Sequence, residues 1–279
     1  MVKFVIYGAL IFAAVALIVL VIKCIKGKRF VIRQFERCNC IVFGKKGTGK
    51  DLLFNLAING RKKPCYANIP YNEKLCEVKQ IKDFSVAPNT YENFLKDNIK
   101  IVEKKLDERK DFYISDGGIV LPSQYQGQLC KDYPSLPIFY ALSRHLTDSN
   151  IHINTQNLGR VWDKLREQAD GYFKTTSTVK ICGLLFTRFV YYDEYESAKQ
   201  NLLPYKRRIF AHAESVANIE EFEAVHGRVE SFIVCQRVKK VNYDTRAYHK
   251  IIYGVNAPEK VHKKKNKKQG DLSLIHISE

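Results

Sequence analysis

CNCIVFGKKGTGKDLLFNLAIN, Cys38 to Asn59, is the stretch on which the reading of this chain turns. Cys40 to Phe43 is a short apolar strand, a glycine-rich turn follows, and Leu52, Leu53, Leu56 and Ala57 mark the apolar face of a helix. Strand, loop and helix in that order form the context of a phosphate-binding loop. Gly44, Gly47 and Gly49 permit backbone angles and close approaches that a Cβ would block. The loop from Gly44 through Lys45, Lys46 and Thr48 can therefore turn successive amides toward a phosphate chain at the helix N-terminus. Lys50 adds a point charge for the terminal phosphates. The usual pattern GxxxxGK[ST] then supplies a hydroxyl for Mg²⁺, and here Asp51 stands in that place.

The 279 residues can bury the core of one α/β domain with length to spare. Hydrophobic content of 46% and aromatic content of 12% exclude a largely disordered protein. A net charge of +17 and a pI near 9.4 favour an anionic partner, nucleic acid or a lipid headgroup surface, although a solvated basic face gives the same numbers. The 8 Cys show no CxxC pair and no His at ligand spacing, which argues against a zinc site or a disulfide framework.

Phe4 to Ile22 contains 19 residues without a charge, enough for a helix of roughly 28 Å, close to the hydrocarbon thickness of a bilayer. Lys23, Lys26, Lys28 and Arg29 follow it and only Lys3 precedes it. That asymmetry favours a retained span over a cleaved signal peptide and places the N-terminus outside and the remainder in the cytoplasm. The expected organisation is a transmembrane anchor at 1–22, a basic juxtamembrane linker at 23–37, a nucleotide-binding domain at 38–256 and a basic tail at 257–271. The last eight residues, LSLIHISE at 272–279, look like a translated sequencing-adapter end and are set aside.

Beyond the loop, Cys65 to Ile69 reads as a strand and Tyr91 to Glu108 as an amphipathic helix. Asp111 to Asp116, DFYISD, is a short strand ending in an acid. In nucleotide-binding α/β proteins the strand next to the loop often ends in an aspartate that holds Mg²⁺. Pro134 to Thr147 reads as a helix with Arg144 and His145 near its end. Asn150 to Gln156 is a strand that finishes on Thr155 and Gln156, and a polar residue there faces the ligand crevice of a parallel sheet. Val161 to Ala169 continues as a helix bearing Trp162 and Arg166. Gly171 to Thr176 and Thr178 to Tyr192 read as strands, the second bending or splitting at Gly183. Ile219 to Val225 is a short helix and Glu230 to Val241 a strand.

Five pieces in order, FGKKGTGKD, YANIPY, YISDGGIVLP, SRHLTDSNIHINTQ and LREQAD, resemble the zonular occludens toxin family, which includes the assembly ATPases of filamentous phages. The resemblance covers roughly residues 38 to 190. It implies an α/β fold, a RecA-like P-loop NTPase sheet of the additional-strand type with helices on both faces, attached to the inner or cytoplasmic membrane of a bacterial host. It implies ATP and Mg²⁺ as cofactors, a homo-oligomer, and phage coat and assembly proteins with single-stranded DNA as partners. By residue it implies that Lys50 contacts the β and γ phosphates, that Gly44, Gly47 and Gly49 form the cradle, that Asp116 holds Mg²⁺, and that Gln156 reads the γ-phosphate; Asp51, in the place of the usual hydroxyl, is the second candidate metal ligand. Arg144 or Arg166 would act across a ring of subunits. Gly117 stands where the family's pattern has Glu, and the anchor lies at the N-terminus rather than after the ATPase domain.

Three functions compete: a membrane-anchored ATPase for assembly and export of filamentous, single-stranded DNA phage; another DNA-translocating ATPase of the conjugative coupling type; and a catalytically impaired nucleotide-binding scaffold. The third arises because a carboxylate 4 Å from a triphosphate charge is repelled by about 4 kcal/mol at an effective dielectric of 20 unless Mg²⁺ bridges them.

Overall fold

The computed structural model describes residues 2–69, 71–72, 74–78, 110–132, 140, 148–204 and 216–241, all within one unit, Met1–Asp244. The expected helices at 91–108 and 134–147, Arg144 with the second of them, and the segments from 242 onward lie outside the described residues, apart from Tyr140.

Helix α1 runs without a break from Val2 to Arg37. The stretch 23–37, expected as a linker, is instead its C-terminal half and part of the fold. The reason is a stripe: Cys24, Val31 and Phe35 are buried along one side of it, at the spacing that puts residues on one helix face. Phe30 stacks on Phe232 at 4.2 Å between ring centroids, and Phe35 packs against Phe173 at 5.3 Å. At Gly27 the helix lies so close to the sheet that a Cβ would collide with the Ile233 carbonyl.

The strands are β1 (Cys40–Phe43), β2 (Cys65–Ala67), β3 (Cys76–Val78), β4 (Asp111–Ile114), β5 (Ile151–Thr155), β6 (Gly171–Ile181), β7 (Leu184–Tyr192) and β8 (Val229–Arg237). They form one sheet in the order β3-β2-β4-β5-β1-β6-β7-β8. Pairing is parallel from β3 to β6 and antiparallel through β7 and β8. The acid-bearing strand β4 is therefore not next to the loop-bearing strand β1. Strand β5 lies between them, as expected of an additional-strand sheet.

Alternation along the strands builds two layers. Ile41, Phe43, Ile114, Ile151 and Ile153 point into a core completed by Leu158, Trp162, Tyr172 and Phe222. The alternate positions Tyr113, His152 and Phe173 face α1 and helix α2 (Lys50–Arg61), against Phe35 and Phe54. At Gly60, on α2, a Cβ would strike Ile32 of α1, so the two helices cross in close contact.

The hairpin between β6 and β7 turns at Cys182 and Gly183, with φ of 46° and 75°, the left-handed pair that a tight two-residue hairpin requires. The break expected at Ser177 is a register shift between Thr175 and Ser177 within β6, and the strands divide at the other expected point, Gly183. The helix expected at 161–169 is shorter, Asp163–Arg166, and follows a 3₁₀ turn at Leu158–Arg160.

Candidate functional site

The site begins with backbone. Gly44, Gly47 and Gly49 adopt φ of 150°, 80° and 97°, and a Cβ on Gly44 or Gly49 would collide with Thr175 or Thr178 of β6. Glycine is what lets the loop turn tightly while seated on that strand. Helix α2 then starts at Lys50 with no side-chain cap on its first turn, so its leading amides remain donors for an anion at the positive end of the helix. Thr48 is fixed from both sides, its hydroxyl 2.7 Å from the Lys45 carbonyl and 2.7 Å from the Thr175 hydroxyl.

Lys50 is buried, and its ammonium donates to the carbonyls of Gly44 at 3.1 Å and Lys45 at 3.2 Å. It sits inside the loop, where phosphate oxygens would compete for its protons. Desolvation lowers its pKa, opposed by the charges of Asp51 and Asp116. Asp116 is the counterpart: burial raises its carboxyl, Asp51 raises it further, and Lys50 pulls it down. These three charged groups form one electrostatic cluster although they come from α2 and the end of β4.

Asp51 Oδ1 accepts from Tyr71 Oη at 3.0 Å and from Asn154 Nδ2 at 2.7 Å. The same two donors surround Ser115, whose hydroxyl lies 2.5 Å from Tyr71 Oη and 3.2 Å from Asn154 Nδ2. Asn154 also accepts from the Asp116 amide at 2.8 Å, and Asn68 holds both the amide and the carbonyl of Ser115, at 2.7 and 2.9 Å. Asp116 leaves the strand in the left-handed region, φ 53°. Ser115, Tyr71, Asn68 and Asn154 are absent from the sequence-derived site. The only signal for them was polarity at strand ends, and which of those polar groups turn toward α2 depends on strand order.

Among the described residues no group of three or more His, Cys, Asp or Glu is placed to hold a metal ion. Mg²⁺ in phosphoryl-transfer sites needs only one or two carboxylates, the remaining ligands being phosphate oxygens and water. Asp51 and Asp116, both acting on Lys50, fit that demand.

A cavity of about 760 Å³ opens beside the loop, lined by Gly44, Lys45, Thr48, Gln156, Arg166 and Lys174 among others. Its cations suit an anionic ligand; Lys174 has a lowered pKa from desolvation and from Lys45 opposite. Gln156 is exposed just past the end of β5. Arg166 is turned into its own chain's cavity, paired with Asp163 at 2.9 Å and lying over the Tyr195 ring at 5.2 Å.

No family model and no curated protein matches the sequence. Among solved structures, the chain is similar to the N-terminal domain of zonular occludens toxin from Neisseria meningitidis, with a TM-score of 0.41 and 13% identity over 75% of this chain and 96% of that one. It is similar to the genome packaging NTPase B204 of Sulfolobus turreted icosahedral virus 2 in complex with AMP, with a TM-score of 0.37 and 12% identity over 58% of this chain and 94% of that one. A KaiC-like protein from Pyrococcus horikoshii matches with a TM-score of 0.30 and 14% identity, over 55% of this chain and 77% of that one.

Proposed function

We propose that this chain is a membrane-anchored ATPase that powers assembly and export of filamentous phage. The observation that carries the ATPase reading is the loop itself: three glycines in the left-handed region, a helix N-terminus with uncapped amides, and Lys50 turned into the loop beside a cationic cavity. ATP would lie with its phosphates on the amides of residues 44–51 and Lys50. Mg²⁺, held through Asp51 and Asp116, would neutralise the charge that these acids and the phosphates place together. Gln156 stands at the mouth of the same cavity, in position to orient water or read the terminal phosphate.

The anchor is supported by α1, whose Ile6, Leu10, Phe12, Leu17, Ile18 and Ile22 are all exposed around the helix. By length and composition this is a helix able to cross a membrane, with a mean hydropathy of 2.8 in its most apolar window. Directly after the apolar part, Lys23, Lys26, Arg29, Arg33, Arg188 and Arg228 surround a second cavity of about 840 Å³, suited to an anionic surface. The phage assignment rests on the order of the five sequence motifs. Purified chain in detergent should hydrolyse ATP and Lys50→Ala should abolish the activity; equal rates in the two proteins would overturn the mechanism.

A further inference from the structure

In a P-loop site, Mg²⁺ is held by two protein groups, the hydroxyl that follows the loop lysine and a carboxylate at the end of a nearby strand. In this chain the residue after Lys50 is an acid, Asp51, and the residue just past β4, which continues the alternation of Asp111 and Tyr113, is a hydroxyl, Ser115. The two side chains belong to one hydrogen-bonded ring. Tyr71 Oη lies 3.0 Å from Asp51 Oδ1 and 2.5 Å from Ser115 Oγ, and Asn154 Nδ2 lies 2.7 Å from the first and 3.2 Å from the second.

We propose that carboxylate and hydroxyl have exchanged places: Asp51 brings the metal's carboxylate from the loop, Ser115 brings the hydroxyl from the strand, and Asp116 is released to act on the attacking water. This rests on the nucleotide-site reading above and revises its metal assignment: Asp51 keeps the metal, and Asp116, taken there as the second ligand, serves the water instead. The exchange also accounts for Gly117. Counted from Ser115 as the metal position, the acid expected one residue later is present as Asp116, and Gly117 replaces nothing. Its Cα packs where a Cβ would strike Ile153 of β5, so glycine has a structural reason to be there. In the hydrolytic step the water oxygen bonds to the γ-phosphorus as the bond to the β–γ bridging oxygen breaks. ADP leaves with that electron pair, and a water proton passes to the Asp116 carboxylate.

The test measures equilibrium binding of ATPγS to the full chain in detergent, with and without Mg²⁺, for the wild type and four variants. Mg²⁺ should tighten binding to the wild type by about tenfold or more, since it removes the repulsion between Asp51 and the phosphates. Asp51→Asn, which keeps the shape of the side chain, should bind equally with and without metal. Asp116→Asn should keep the full metal effect and lose turnover. Asp51→Ser should lose the metal effect, and the pair Asp51→Ser with Ser115→Asp should regain it by restoring one acid and one hydroxyl. A metal effect retained by Asp51→Asn and lost by Asp116→Asn, or a double variant no better than Asp51→Ser at unchanged thermal stability, would overturn the exchange. Metal-independent binding to the wild type would overturn the exchange alone, whereas no binding to the wild type would overturn the nucleotide site as well.

Discussion

Asn154 Nδ2 donates to Asp51 Oδ1 across 2.7 Å, tying the acid of the phosphate loop to the last α2-facing position of β5. The same amide's oxygen holds the Asp116 backbone, so one side chain registers both acids. Asn154→Ala should cut ATP hydrolysis by about tenfold or more, because small misplacement of reacting groups is costly, and should lower stability by about 1–3 kcal/mol through the polar groups left unpaired. Steady-state kinetics together with guanidinium unfolding, followed by the single Trp, Trp162, which is buried in the core, separate the two effects.

His152 is fully buried between Phe35 and Tyr113, with ring centroids 4.6 and 4.8 Å away. Among the described residues neither ring nitrogen has a hydrogen-bond partner. Burial drives its pKa well below the usual value, and Arg61 and Lys63 lower it further. The Phe35 carbonyl acts in the opposite sense without reaching hydrogen-bond geometry. In the folded protein the imidazole is therefore neutral, while the unfolded chain takes up a proton below about pH 6.5. Stability contributed by this residue is intact above that pH and is lost as pH falls, by up to about 1.4 kcal/mol per unit. His152→Phe should flatten that acid limb of the stability curve and leave stability at pH 7 equal or higher, as read from unfolding midpoints at pH 7, 6 and 5.

Asp111, itself buried, is paired with Arg61 and with Lys63 at 3.1 Å, and accepts the Asn150 amide at 3.1 Å. Arg61 and Asn150 in turn satisfy the last carbonyls of α1, at Phe35 (2.7 Å) and Glu36 (2.8 Å). Asp111→Ala leaves the Arg61 guanidinium buried without its partner and should destabilise the protein by about 3–5 kcal/mol. Replacing both residues, Asp111→Leu with Arg61→Met, should recover a large part of that loss. Denaturant midpoints of the two variants decide it.

Gly27→Val should push α1 off β8, since its added atoms would meet the Ile233 backbone rather than a movable side chain. The expected cost is about 1–3 kcal/mol. Faster tryptic cleavage at Lys28, Arg29 and Arg33 is the accompanying sign that this half of the helix has come away.

The elements legible in the sequence were those written as local patterns. Strands β1, β4 and β5 are apolar runs with polar ends, and α2 carries its leucines at helical spacing. The docked half of α1 was hidden because Lys23, Lys26, Lys28, Arg29, Arg33 and Arg37 dominate its composition, although Cys24, Gly27, Val31 and Phe35 trace a helical stripe between them. Ser115 and Tyr71 were not legible as site residues. Each is an ordinary polar residue until β5 is inserted between β1 and β4 and Asn154 joins them to Asp51, and that neighbourhood is created by strand order rather than by any spacing along the chain.

The unbroken course of α1 has a mechanical meaning. Its 36 residues make a rod of about 54 Å, and only Cys38 and Asn39 separate its end from β1, the strand that delivers the phosphate loop. A flexible tether would absorb any tilt or thrust of a subunit against the bilayer. Here the rod is clamped along β8 and α2, so under the proposed anchoring the bilayer would act as a fulcrum, and leverage applied at one end would be felt across only the six residues between Arg37 and Gly44.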